Sequence, residues 1–415
     1  MGAPGRVAAR TRPRRRSSLP RRLVLAVATA LAAAVTLTAG PSVAGVAVVG
    51  GVAGAAAAPA VVRVRASDPL IPPDQRGSYG VGYRTVTIID DTRPGRPLTT
   101  AVWYPSRSRL AAPGVLGGPT PASYEIAPGV GLRSRVAVAD AAVEAGYFPL
   151  VVLSHGSAGS RVQLASLAET LASRGYVVAA PDHPGDTMTD VAEHRQESLL
   201  DLASDRPLDV WAVIDWMLCP YRLFGQVVDP ARVAVVGFSF GGLTAIASSV
   251  GFLRVPPDPR VRVVVGISPA TDVLPAALLA RVTVPTLLIG GTADATTPVE
   301  RNADTASREL TASPDRLEVR VTQGTHNSFS DLCQQEYLAA DARVPAEVAR
   351  QLRLGALVTC PPPLIDPAVA GQITRWYTVA YLERYLRGDP RYARYLAPSA
   401  ATTRFAGQVA LRAAP

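Results

Sequence analysis

From residue 148 to residue 321 the chain alternates apolar runs of strand length with stretches of helical period, and few architectures accept that pattern. Phe148-Pro149-Leu150-Val151-Val152-Leu153 has the length and composition of a buried strand. Residues 161–174 then carry Leu164, Leu167, Ala168 and Leu171 at i, i+3, i+4 and i+7, the spacing of an amphipathic helix. Strands are predicted at 176–180, 232–236, 261–267, 286–289 and, last, 317–321, with helices at roughly 195–218, 243–249 and 299–310. This alternation predicts an α/β class fold: a mainly parallel central sheet with helices on both faces. The short segment 268–283 leaves no room for a large cap domain. Upstream, 83–89 and 98–104 read as two strands joined by the turn signal Arg93-Pro94-Gly95. Residues 105–147 are rich in Pro and Gly and yield no clear element.

Composition agrees with a packed core, at 48% hydrophobic and 18% charged residues. The formal charge of +9 is misleading, because eight arginines lie at or before Arg22 and no acid precedes Asp68. Without that leader the balance falls to about +1, so nucleic acid is not an expected partner. Residues 1–44 read as an export signal of bacterial type: a basic region ending at Arg21-Arg22, an apolar stretch from Leu23 to Leu37, and the small-x-small site Ser42-Val43-Ala44. Secretion or a cell-envelope location is expected, with a membrane anchor as the alternative if the leader stays uncleaved. Residues 45–77 read as an Ala-, Gly- and Pro-rich lead-in, and 78–415 as the folded α/β domain with an insertion at 331–366. Both Cys333 and Cys360 fall in that insertion and form the favoured disulfide in an oxidising compartment, against the alternative of three free thiols that include Cys219. Oligomeric state is not readable.

Gly237-Phe238-Ser239-Phe240-Gly241 fits G-x-S-x-G between an apolar strand and a helix, the setting of a nucleophile elbow. A serine hydroxyl is a weak nucleophile and needs a general base. Of the four histidines, His155, His183, His194 and His326, only His326 follows Ser239. In this fold the order is Ser, acid, His, so His326 is the predicted base. The predicted acid is Asp294, just past the strand ending in Leu288-Ile289, where it can fix the imidazole tautomer. Asp272, one strand earlier, is the alternative acid, and a helix N-cap is the structural alternative for either residue. An oxyanion hole needs two backbone donors, assigned to Phe240 and to Ser157 in the loop Ser154-His155-Gly156-Ser157-Ala158-Gly159-Ser160. His155 is expected to order that loop. Asp182, His183 and His194 imitate a metal cluster, but their spacing fits no metal motif and packing or pocket lining is the preferred reading. No metal or other cofactor is expected.

These pieces together resemble the α/β-hydrolase superfamily, and within it the secreted platelet-activating-factor acetylhydrolases and their bacterial dienelactone-hydrolase-like relatives. The matching segments include Ala101-Val102-Trp103-Tyr104-Pro105, Leu153-Ser154-His155-Gly156, Ala180-Pro181-Asp182-His183-Pro184-Gly185-Asp186-Thr187, the elbow, Gly290-Gly291-Thr292-Ala293-Asp294 and His326-Asn327-Ser328-Phe329. The resemblance implies cofactor-free ester hydrolysis by Ser239, His326 and an acid. The bacterial relatives place the acid at Asp294, the acetylhydrolase branch at Asp272. Two departures stand out: dienelactone hydrolases use Cys where this chain has Ser239, and Phe238 stands where the group commonly has His. The expected activity is cleavage of short-chain, lipid-like or polymeric esters. A secreted peptidase with the same triad and a non-catalytic binding protein on a hydrolase scaffold are the alternatives.

Overall fold

The computed structural model describes residues 70–93, 95–111, 118–127 and 129–413. The expected export signal, most of the lead-in and Pro94 of the expected turn lie outside them. In chain order the strands are β1 (Gly80–Ile89), β2 (Pro97–Ser106), β3 (Pro121–Ala127), β4 (Val130–Ala139), β5 (Phe148–Ser154), β6 (Val177–Pro181), β7 (Val228–Phe238), β8 (Val261–Ile267), β9 (Thr286–Gly291), β10 (Arg316–Val321) and β11 (Val409–Ala413). The helices are α1 (Ala165–Ser173), α2 (Met188–Ala192), α3 (Leu199–Leu218), α4 (Phe240–Val250), α5 (Ala276–Leu279), α6 (Ala303–Glu309), α7 (Leu332–Gln335), α8 (Ala346–Leu357), α9 (Pro367–Tyr385) and α10 (Pro398–Arg404).

All the strands belong to one sheet, in the order β11-β10-β9-β8-β7-β5-β6-β2-β1-β4-β3. The block from β10 to β6 is parallel, while β11, β2 and β3 pair antiparallel with their neighbours. The central strands carry long apolar runs because both faces are covered. Val151, Leu153, Ala234, Val236, Val263 and Val265 join one core with α1 and α9. The intervening Val152, Val235 and Val264 are equally buried, on the face where α3 and α4 touch β5, β7 and β8. The chain leaves β5 toward β6 on one side and returns to β7 on the other. That reversal opens a crevice beyond the carboxyl ends of β5 and β7, the usual ligand position in such sheets.

Several expectations are corrected. Residues 105–147 contain β3 and β4, whose exposed Arg133 and Arg135 break the apolar signature of a buried strand. β10 is not the last strand, since β11 pairs beside it. The helix expected from 161 begins at Ala165, because the Arg161 N–H is held at 2.6 Å by the Asp182 carboxylate. The helix expected from 299 begins at Ala303, after turns that return to the Pro298 carbonyl. Part of the expected lead-in is packed: Arg174 donates to the carbonyls of Pro72 and Gln75, and Tyr392 to that of Ile71. Between β8 and β9 only the short α5 intervenes. Cys333 and Cys360 form a disulfide across the insertion, and Cys219 is free. Among the described residues no helix is long and apolar enough to cross a membrane.

Candidate active site

Ser239 stands at the junction of β7 and α4 with φ 56° and ψ −119°. Positive φ is costly for a residue with a Cβ, of order 1–3 kcal/mol, and persists only where the surroundings enforce it. Here the Ser239 N–H donates to the Ile267 carbonyl at 2.8 Å, and the Ala270 N–H donates to the Ser239 carbonyl at 3.0 Å. Glycine is required on both sides of the turn. A Cβ at Gly237 would overlap the Gly241 carbonyl, and one at Gly241 would overlap the Ser154 carbonyl. The bend therefore lies directly against the loop that follows β5.

The structure brings three predicted residues into one hydrogen-bonded line. Ser239 Oγ lies 2.9 Å from His326 Nε2, and His326 Nδ1 lies 2.9 Å from Asp294 Oδ2. Asp294 is buried in the turn after β9, and its other oxygen accepts the Thr296 and Thr297 N–H groups, each at 2.8 Å. Burial alone would push its pKa up. The hydrogen bond and charge of His326, with the Thr297 donors, outweigh that and hold it below the usual carboxylate range. An ionised Asp294 can only accept, so Nδ1 carries the proton and Nε2 is free to accept the Ser239 O–H. Asp294 caps no helix, because the next one, α6, begins at Ala303. Asp272 is exposed, pairs with Arg301 at 2.8 Å, and makes no contact with His326 among the described residues. Phe238 is buried with its ring 5.0 Å from that of His326, and a Cβ at Gly156 would lie 2.9 Å from the same ring. Standing where the resembled group has His, Phe238 thus wedges between the imidazole and the β5 loop.

That loop is held from below by charges that sequence reasoning missed. Arg206, on α3, is fully buried and donates to Asp186 Oδ2 at 2.6 Å, to Ser154 Oγ at 3.1 Å and to the His155 carbonyl. Its guanidinium also lies 5.0 Å from the centre of the Phe240 ring. Asp186 Oδ1 accepts Ser157 Oγ at 2.7 Å and the Ala158 N–H at 3.2 Å. One ion pair therefore touches both residues proposed to supply oxyanion donors. A signal was available: Arg206 interrupts the apolar stripe Leu202, Ala203, Val210 and Val213 of its helix.

His155 and His183 belong to the same support. Burial, followed by the nearby Arg206 charge, holds both imidazoles well below the ordinary histidine value, so both are neutral. His155 Nε2 accepts the His183 N–H at 3.0 Å, which leaves its Nδ1–H to donate to the Gly156 carbonyl at 2.7 Å. His183 Nδ1 lies 2.9 Å from Asp209, and its Nε2 lies 2.9 Å from Ser154 Oγ. Every ring nitrogen is thus engaged. His194 is exposed, and among the described residues no cluster of His, Cys, Asp and Glu could hold a metal.

The strand order and the alternation of strands and helices are those of the α/β-hydrolase fold. A family model described as PET hydrolase-like matches residues 138–339, a little under half of the chain. Cutinase est1 of Thermobifida alba is 24% identical over 253 residues, 61% of this chain and 65% of that protein. Bis(hydroxyethyl) terephthalate hydrolase of Streptomyces coelicolor is 22% identical over 255 residues, 61% of this chain and 62% of that protein. The chain thus spans less than two thirds of the length of these two relatives. Among solved structures, a ferulic acid esterase from Streptomyces cinnamoneus superposes with a TM-score of 0.58 at 25% identity, covering 80% of this chain and 96% of that one. These matches do not specifically single out the platelet-activating-factor acetylhydrolase and dienelactone-hydrolase-like group that the motifs resemble.

Proposed function

We propose that this chain is an exported serine hydrolase that cleaves carboxylic esters through an acyl-enzyme on Ser239. The observation that carries this reading is the hydrogen-bonded line Ser239–His326–Asp294 at the carboxyl ends of β7, β9 and β10. His326 Nε2 takes the Ser239 proton as Oγ bonds to the ester carbonyl carbon. The N–H groups of Phe240 and Ser157 hold the resulting oxyanion. Collapse breaks the bond to the leaving oxygen, which receives the proton from His326. Water repeats the sequence on the acyl-enzyme and releases the acid. Asp294 stays ionised and stabilises the imidazolium.

The names of the relatives, a cutinase, a bis(hydroxyethyl) terephthalate hydrolase and a ferulic acid esterase, support esters as the substrate class, and the PET hydrolase-like family model supports polyesters among them. The short β8–β9 connection supports an open cleft suited to bulky or extended chains. The leader-like residues 1–44 support export. The test is hydrolysis of p-nitrophenyl esters of increasing acyl length by the purified chain and by Ser239→Ala. Loss of several orders of magnitude in the variant is expected. Equal rates in the two proteins would remove Ser239 from the reaction, and no ester turnover beside cleavage of peptide amides would favour the peptidase reading.

A further inference from the structure

A cavity of about 850 Å³ lies apart from Ser239 and His326, between β4, α1, α9 and the insertion. Neither of those residues lines it, nor do Ser157 and Phe240. Four arginines do: Arg76, Arg133, Arg135 and Arg375. Among the described residues, Arg133, Arg135 and Arg375 have no hydrogen bond and no ion pair. Arg375 is the informative one, because it is half-buried. Burial depresses its pKa, opposed in part by the charges of Asp331, Asp74 and Glu169, none of which comes within ion-pair distance of it.

The acids of the same wall are already engaged. Asp74 pairs with Arg404 at 2.9 Å. Glu169 accepts Tyr124 Oη at 2.8 Å and also Ser134 Oγ, with Arg76 at 3.5 Å. Asp331 accepts the Ser166 N–H at 2.8 Å and its hydroxyl at 2.6 Å. The cavity therefore presents unpaired guanidinium forks over a floor whose acceptors are taken. Apolar and aromatic side chains share the rest of the lining with polar ones: Leu132 and Val136 are half-buried and Tyr337 leaves 61% of its surface exposed, beside Gln75, Thr170 and Gln334.

We propose that this cavity is a second, non-catalytic binding site for a small organic carboxylate with an apolar or aromatic body. The guanidinium of Arg375 takes the carboxylate, Arg133 and Arg135 hold it from the rim, and Tyr337 packs on the body. Acids of this class are what ester hydrolysis releases, so a product is the natural occupant; that identification rests on the function proposed above. The wall is also joined to the oxyanion loop. The Asp331 N–H donates to the Gln163 carbonyl at 3.0 Å, and the Gln163 side chain accepts the Gly156 N–H at 2.8 Å.

Calorimetric titration of the Ser239→Ala protein with benzoate, terephthalate and inorganic phosphate tests this without any turnover. The aromatic carboxylates should bind more tightly than about 1 mM, and Arg375→Gln should weaken them at least about tenfold. Arg133→Gln, at an exposed strand position that leaves the core intact, should weaken them in the same direction. Absence of binding, binding indifferent to both substitutions, or phosphate binding as tightly as the carboxylates would each overturn the assignment. A chain that binds carboxylate through Arg375 but hydrolyses no ester would keep this site and reject the proposed function instead.

Discussion

Replacing Asp186 with Asn removes one charge from the buried pair with Arg206 while preserving side-chain volume. Arg206 has no exposed surface, so its guanidinium would be left uncompensated, and breaking such a pair costs about 3–5 kcal/mol of folding stability. The kinetic effect follows from the other carboxylate oxygen, which holds Ser157 Oγ and the Ala158 N–H. Losing one oxyanion donor outright costs about 10²–10³ in rate. A loop that is loosened rather than lost should cost less, so kcat should fall about 10- to 100-fold with KM little changed. Ser157→Ala loses the hydroxyl contact but keeps the backbone donor, and should stay within about fivefold of wild type. The double variant Asp186→Asn/Arg206→Gln leaves no unpaired charge and should recover part of the lost stability. Urea unfolding and steady-state hydrolysis of a p-nitrophenyl ester measure both effects. An Asp186→Asn protein that is folded, destabilised as expected and undiminished in kcat would refute the argument that this ion pair positions the donor loop.

Two further outcomes follow from the same geometry. Asp294→Asn should lower kcat by about 10³–10⁴ by disturbing the imidazole tautomer, whereas Asp272→Asn, which breaks only an exposed pair with Arg301, should change it by no more than about twofold; steady-state rates on one ester decide between the two acids. Burial pushes Asp331 up to about 6, partly opposed by its Ser166 donors, so the folded state holds a proton that the unfolded chain releases. This contribution to stability is present below the unfolded carboxylate value and is lost as pH rises through about 6, a change of order 3 kcal/mol. Thermal unfolding between pH 4 and pH 7 should show this decline in the wild type and a flatter profile in Asp331→Asn.

The central sheet was legible because β5 to β9 are covered on both faces, which favours apolar runs such as Val233-Ala234-Val235-Val236, while β10 shows the strand period by alternating Leu317, Val319 and Val321 with charged residues. β3, β4 and β11 lie toward the sheet edges, where exposed residues such as Arg133 and Arg135 dilute the apolar signal. The position of Ser239 was legible from its glycines, since their neighbours leave no space for a Cβ. His326 was legible by elimination, and Asp294 by its place after a strand. Asp186 stood within a quoted motif, yet nothing local distinguished it from a turn residue. Its role depends on Arg206, which is near only after α3 packs under the loop; the break that Arg206 makes in the apolar stripe of its helix signals a buried charge but does not name its partner. The cavity around Arg375 is equally invisible in sequence, because its walls come from six separate segments.

The most direct test of the account is trapping the acyl-enzyme. The wild-type chain, mixed with a p-nitrophenyl ester and quenched in acid within the first turnover, is digested and its peptides are weighed. The account predicts a mass increase equal to the acyl group on the peptide containing Ser239, and no such increase in Ser239→Ala. Rapid ester turnover in which Ser239 never carries the acyl group, or acylation at another residue that survives Ser239→Ala, would contradict it.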